Sequence, residues 1–454
     1  MAYDHVDRLG VYAWGEFVGA IAAAPRARNA WAFQYTAEWR TGDVSLAPLL
    51  MPHPTGRGRD TFVFPTSEYN EVTYKGLPPM LADSLPDAFG NSLIDAELRG
   101  RGLMRDVWSI TPLDRLAYIG SRSMGALTFR PADERPAHYT CIDLKTLVEE
   151  ARAAVRGNLR TESHRSYAPT ELLQVGTSAG GARPKAVVAW NRETDELRAG
   201  NIEIDEPGFE QWLLKFDGVD KGAISMSDPA GFTRIERAYC LMAAEAGLDV
   251  PESALLTENG RAHFMIRRFD RTAAGERLHQ QSLCGVAGLD FNLLPQPGTG
   301  IGNRYEDYFG TIERLGLADD AALQEAFRRM VFNVLAANND DHTKNFGFLM
   351  DRAGQWSLAP AYDLTFSYDP GNEWLRQHLM SVNDKRDKIT AADLWEVADA
   401  YRVPGVAGII ERVADAVGQW ARFAQVAEVS DSHKERVSAR LNEVLAHSGL
   451  RPAR

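Results

Sequence analysis

Five side chains between residues 215 and 363 of this 454-residue sequence are of the types that grip and transfer a phosphoryl group: Lys215, Glu236, Asp340, Asn345 and Asp363. Lys215 lies in Glu210–Phe216 (EQWLLKF), an apolar run that predicts a short strand, and a lysine buried in a strand is costly unless it meets an anion. Glu236 falls early in Gly231–Gly247 (GFTRIERAYCLMAAEAG), whose periodicity predicts an amphipathic helix with Thr233 as N-cap and Gly247 as stop. A glutamate there either favours the helix dipole or holds the lysine. Asn338–Asn345 (NNDDHTKN) sets Asp340 and Asn345 in D-x-x-x-x-N spacing. That spacing lets the aspartate orient an attacking hydroxyl while the asparagine curls back onto a metal at the phosphates. Asp363, in APAYDLTF, follows a predicted hairpin, where a Mg²⁺-binding carboxylate is expected to face the loop.

Upstream, Val175–Lys185 reads VGTSAGGARPK. Gly176, Gly180 and Gly181, with Thr177 and Ser178, form a flexible loop whose N–H groups suit phosphate. It is no Walker A loop, since neither Ser nor Thr follows Lys185. Alone, the segment reads as a solvent-facing hairpin loop. In sequence with the strand lysine, the helix glutamate and the D-x-x-x-x-N loop, it reproduces the order of phosphate-handling parts in a protein kinase. His342 and Lys344 join the ATP-facing set, although for each an ordering hydrogen bond within the loop is the preferred reading over a general base or metal ligand; Asp341 reads as a loop or solvent residue. Asn339 stands where a His-Arg pair precedes the usual catalytic aspartate, and no D-F-G occurs at Asp363, so the pattern belongs to a divergent branch.

These residues need elements to hold them. Asp319–Ala337 carries Leu323, Phe327, Met330, Val331, Val334 and Leu335 at helical spacing and delivers the chain to Asp340. Phe346–Met350, Asp351–Gly354 and Gln355–Leu358 read as strand, turn and strand. Near the start, Gly10–Ala20 reads as a hairpin around Gly15, Phe33–Trp39 as a strand, Pro78–Arg99 as turn chemistry running into a helical pattern with Leu93, Ile94 and Leu98 on one face, and Gly120–Phe129 as glycine-punctuated strand. A helix around Asp143–Val155 precedes a polar boundary, and the chain from about Gly275 onward is mainly helical.

The 454 residues carry 50 Lys+Arg against 62 Asp+Glu, a formal charge of −12, which argues against a protein whose own surface grips nucleic acid. Apolar content of 44% and charged content of 25% are those of a globular chain. We expect neither a secretory leader nor a membrane span. Cys141, Cys240 and Cys284 have no zinc spacing and suggest a reducing, cytoplasmic setting, with Cys240 as a core residue.

Segments across nearly the whole chain resemble the HipA family of type II toxin–antitoxin kinases: SLPDAFG (Ser84–Gly90), IGSRSMGAL (Ile119–Leu127), GTSAGGARPK, LLKF, RRFDR (Arg267–Arg271), RLHQQSL (Arg277–Leu283), NNDDHTKNF and LAPAYDL. Phe89 and Asn91 depart from the Trp and Arg of many relatives. The resemblance implies an α+β, two-lobed protein-kinase-like fold. It would place an N-terminal α/β subdomain over 1–145, a kinase N-lobe over 146–270 and a mainly helical C-lobe over 271–454. It further implies ATP and Mg²⁺, with Lys215 on ATP, Asp340 as catalytic aspartate and Asn345 and Asp363 as metal ligands. Ser178 matches the serine that family members autophosphorylate, which ejects the glycine loop; a phosphate of about −1.5 to −2 charge cannot share a pocket with ATP phosphates. Thr177 is an equally reachable acceptor. The implied substrate is a translation protein such as an aminoacyl-tRNA synthetase, and the implied partner a helix-turn-helix antitoxin through which any DNA contact runs. Leu394–Ala414 superficially resembles a helix-turn-helix, but its acidity and Pro404 predict a C-lobe helix pair. Two rivals make different demands: a metal-dependent phosphohydrolase ligated by Asp340, Asp341, His342 and Asp363, and an ATP-binding regulatory or antitoxin-like protein without phosphotransfer.

Overall fold

The computed structural model describes residues 5–25, 29–53, 60–100, 110–131, 143–155, 184–200, 208–219, 231–272, 274–296 and 298–450. The glycine loop, with Gly176, Thr177, Ser178, Gly180 and Gly181, lies outside the described residues, as does Cys141.

Among the described residues, three antiparallel sheets organise the chain. The first has the order β4-β3-β2-β1-β5, built from β1 (Arg8–Ala13), β2 (Glu16–Ala23), β3 (Trp31–Tyr35), β4 (Thr61–Val63) and β5 (Leu127–Arg130). The β1–β2 hairpin turns at Trp14 and Gly15, both at positive φ, the geometry that matches strand twist in a two-residue turn. Leu9, Val11 and Ala13 alternate into a core shared with Leu113 and Leu116 of the helix Pro112–Ile119. Two local expectations are corrected here. The strand expected over Phe33–Trp39 stops at Tyr35, because the Thr36 hydroxyl accepts the Trp39 N–H and starts a helical turn, Ala37–Arg40. In Pro78–Arg99 a short helix, Pro79–Ala82, and the acidic segment Asp83–Asp87 precede the helix Ala88–Gly100, which buries Leu93, Ile94 and Leu98. Gly120–Ala126 is a turn, with strand only from Leu127.

The second sheet has the order β7-β6-β8-β10-β9, from β6 (Lys185–Asn191), β7 (Glu196–Ala199), β8 (Phe209–Lys215), β9 (Ser253–Glu258) and β10 (Arg261–Arg267). Its two faces are both covered, which is why β6 is buried for five successive residues. Ala186, Val188, Trp212 and Leu214 pack on Phe89 and Leu93 of Ala88–Gly100 and on Leu147 and Ala151 of the helix Leu144–Val155. Phe264 and Ile266 pack on Cys240 of the helix Phe232–Glu245. That helix starts at Gly231, whose φ of 94° a side chain would resist; the Thr233 hydroxyl does not cap it but donates to the Ala262 carbonyl on β10. Gly247, at φ 86°, follows its end as expected.

The third sheet, β11 (His279–Ser282), β12 (Gly347–Met350) and β13 (Trp356–Leu358), borders the helical lobe. There Phe327, Met330 and Val334 of Asp320–Leu335 join one core with Leu394 and Val397 of Ala391–Ala400 and Ile410 and Val413 of Val406–Gly418. The helix-turn-helix lookalike is thus part of the lobe's interior. No helix among the described residues is long and apolar enough to cross a membrane.

Candidate functional site

Cross-strand register brings the cations together. Lys215 on β8 pairs with Lys185 on β6 and with Phe264 on β10, so all three project from one row toward the helix Phe232–Glu245. Both lysines are buried. Lys215 Nζ donates to Glu236 Oε1 at 2.5 Å and also to Asp363 Oδ1. The strand lysine therefore meets two carboxylates, one from its own lobe and one from the far side. Burial alone would lower the Lys215 pKa, but Asp363 and then Glu236 outweigh it and raise it above the ordinary lysine range. For Asp363 burial works against the charge, and Lys215 and Lys185 overcome it, holding the carboxyl well below the usual range. Asp363 itself sits at φ 57°, an uncommon conformation for a non-glycine residue that aims it at Lys215.

Opposite, the loop after Asp320–Leu335 divides its residues between cleft and interior. Asp340 is 46% exposed along its side chain, while its neighbours Asn339 and Asp341 are buried. Asn345 Nδ2 donates to the Asp340 carbonyl at 2.8 Å, the curl that D-x-x-x-x-N spacing requires. His342 Nε2 stands 4.0 Å from Asp340 Oδ1, and its ring and the Lys344 ammonium both lie against Phe291. Asp341 is neither a solvent residue nor a metal ligand. Its carboxylate is fully buried and accepts from the Tyr305 hydroxyl (2.8 Å), His378 Nδ1 (2.9 Å), and the Leu379 and Met380 N–H groups (2.7 and 3.3 Å). It straps the loop to the chain segment after Asp363. That overturns the ligand set a phosphohydrolase would need.

Lys185, Lys215, Glu236, Asp340, Asn345 and Asp363 all line one cleft of about 1470 Å³. His342 and Lys344 line it too. It is large enough for a nucleotide and part of a peptide. Among the described residues, no group of three or more His, Cys, Asp or Glu could hold a metal ion. An Asn345–Asp363 pair nonetheless fits Mg²⁺, which takes hard oxygen ligands, needs few of them from protein and keeps waters.

Two participants escaped sequence reasoning. Lys185 is set beside Lys215 by strand register, which no sequence pattern prints. Asp87, in the segment dividing the two N-terminal helices, lies 3.7 Å from Lys185. Nearby Asp83 accepts both the N–H and the hydroxyl of Ser282, and Asn91 accepts from Arg115, so the N-terminal region is tied to the cleft wall. A second tie is buried: Asp270 pairs with Arg268 and Arg271 and accepts the Gly125 N–H at 2.7 Å.

Comparison with known proteins agrees with this geometry. A "HipA-like C-terminal domain" family model matches residues 177–421, and a "HipA N-terminal domain" model matches 9–130. Among named relatives, "Putative kinase" of Haemophilus influenzae is 32% identical over 158 residues, covering 32% of this chain and 44% of that one. "Putative kinase Y4dM" of Sinorhizobium fredii is 31% identical over 215 residues, covering 44% and 47%. The chain thus spans under half the length of these relatives. The Shewanella oneidensis HipA, solved with HipB and operator DNA, superposes with a TM-score of 0.63 at 18% identity, covering 97% of this chain and 96% of that one. The fold is therefore the α+β, kinase-like HipA fold, and the chain belongs to the HipA family.

Proposed function

We propose that this protein is an ATP-dependent serine/threonine protein kinase. The observation that carries the reading is the contact of Lys215 with both Glu236 and Asp363, in a cleft that also exposes Asp340. Lys215 and Lys185 neutralise the ATP phosphates, and Glu236 fixes Lys215 among them. Asp340 accepts the proton of the substrate hydroxyl and aims its oxygen at the γ-phosphorus. The new O–P bond forms as the bond to the β-phosphate oxygen breaks, and ADP leaves with that electron pair. Asn345 and Asp363 would hold Mg²⁺, which when bound offsets phosphate charge. His342 and Lys344 border the phosphate end, steadied by Phe291.

Regulation in this reading runs through Ser178, or its neighbour Thr177, as an autophosphorylation site, with the charged loop then unable to return to the phosphates. The substrate class is a cytoplasmic translation protein such as an aminoacyl-tRNA synthetase, making the kinase a growth-inhibiting toxin. A helix-turn-helix antitoxin is the proposed partner, because the Shewanella relative is solved with HipB and operator DNA. DNA is reached only through it. The test is phosphosite mapping by mass spectrometry after incubation with Mg²⁺ and ATP. Phosphate on Ser178 or Thr177 in the wild type and none in Asp340→Ala is expected. Phosphate confined to other residue types, or equal in both proteins, overturns the reading.

A further inference from the structure

Asp87 gives its two carboxylate oxygens different partners. Oδ1 accepts the Gly90 N–H at 2.6 Å and the Asp87 carbonyl accepts the Asn91 N–H at 2.9 Å, so Asp87 is the N-cap of Ala88–Gly100. Oδ2 is turned away from the helix toward Lys185 Nζ at 3.7 Å and accepts no hydrogen bond among the described residues. The two side chains are only 5% and 4% exposed. Burial is the main influence on each group: it pushes Asp87 up to about 6, against the pull of Lys185, and lowers Lys185, against the pull of Asp87. Lys185 also stands beside a second cation, since it is the direct cross-strand partner of Lys215.

The cleft therefore holds two lysines and an acid for each. Glu236, from the helix packed on the same sheet, serves Lys215. Asp87, from the N-terminal region, serves Lys185, and the segment bearing it is anchored to the cleft wall through Asp83 and Ser282. A buried ammonium beside a like charge keeps its place only with a counter-ion. Resting on the nucleotide-site reading above, we propose that Asp87 is a positioning residue for nucleotide binding, holding Lys185 beside Lys215 at the phosphate end of the cleft. The N-terminal region then supplies part of the nucleotide site of its own chain. It is not merely an appendage to the kinase lobes.

Asp87→Asn isolates the charge, because asparagine caps a helix as well as aspartate does. The experiment measures Mg-ATP dissociation constants, KM and kcat on the full chain. The proteins are wild type, Asp87→Asn, Asp87→Glu, Lys185→Met and the Asp87→Asn/Lys185→Met double variant, with melting temperatures alongside. Asp87→Asn is expected to weaken ATP about tenfold, mainly in KM. It should add nothing in the Lys185→Met background, and Asp87→Glu should recover part of the loss. The double variant removes both charges of this pair together, so it keeps the comparison valid if Asp87→Asn alone folds poorly. Unchanged ATP affinity in Asp87→Asn overturns the proposal. So does an equal loss in both backgrounds, or a lower melting temperature with affinity intact. A wild-type chain that binds no nucleotide removes the site reading itself, and the inference with it. That result is distinct from a binding wild type with an indifferent Asp87→Asn.

Discussion

Lys215 is held by carboxylates from two lobes, so replacing it tests both the cation and the bridge. Lys215→Met leaves Glu236 buried and Asp363 without its nearest cation. A loss of about a hundredfold or more in phosphotransfer is expected, the scale seen when a preorganised charge at a reacting centre is removed. Steady-state rates with saturating ATP measure it, and a loss under threefold would remove Lys215 from the machinery. At this scale the sequence was informative where chemistry and spacing coincide. Lys215, Glu236, Asp340, Asn345 and Asp363 stand out together, through their order and spacing, although most of them are ordinary types in their local patterns. Asp87 and Lys185 do not, since their meeting depends on strand register and on a loop from the other end of the chain. Asp341 was misread for a related reason: a carboxylate in a polar turn looks solvated until Tyr305, His378 and two backbone N–H groups close around it.

At the scale of elements, Asp341 ties the catalytic-loop candidate to the segment at 378–380, beyond the hydrogen bonds the loop makes within itself. Asp341→Ala strands three buried donors at once, the Tyr305 hydroxyl, His378 Nδ1 and the Met380 N–H, while the Leu379 N–H keeps the Asn339 carbonyl. A loss of about 3–5 kcal/mol in unfolding free energy is expected, measured by urea denaturation at neutral pH. A change below about 1 kcal/mol would mean that the strap contributes little. The helices and hairpins were legible where periodicity was long: Asp320–Leu335 begins at its Asp319 cap, and the β12–β13 hairpin turns where glycine and aspartate cluster. Short elements were less so. Thr36 ends β3 by capping, and Asp83–Asp87 is held in place by tertiary contacts, the hydrogen bond to Ser282 and the approach to Lys185, that no local pattern prints.

The whole molecule is fastened by buried polar groups, which makes its stability depend on pH. Burial lowers His263 and His279 to about 4. In the unfolded chain each titrates near ~6.5, so the unfolded state takes up protons first as pH falls. Their stability is thus fully present above about pH 6.5 and lost between there and about pH 4, roughly 3 kcal/mol each over the full range. Asp87, raised to about 6, runs the other way over the lower part of that window. The net expectation is a fall on the order of 2 kcal/mol between pH 7.5 and 5, read from urea midpoints; a flat profile would show that the two imidazoles are not buried neutral. Asp270, held well below the usual carboxylate range by Arg268 and Arg271 against burial, adds a further loss only below about pH 4.

The central claim is that the cleft transfers phosphate with Asp340 handling the hydroxyl. The most direct measurement follows γ-labelled phosphate from Mg-ATP onto protein in one time course for wild type and Asp340→Ala, with nucleotide binding determined on the same samples. On this account both proteins should bind ATP with similar affinity, the proposed role of Asp340 being to orient the hydroxyl and not to hold the nucleotide, while only the wild type accumulates label. Equal labelling in both would contradict the assignment of Asp340. A wild type that binds Mg-ATP, carries no phosphate on its glycine loop and still transfers nothing would contradict the kinase reading as a whole.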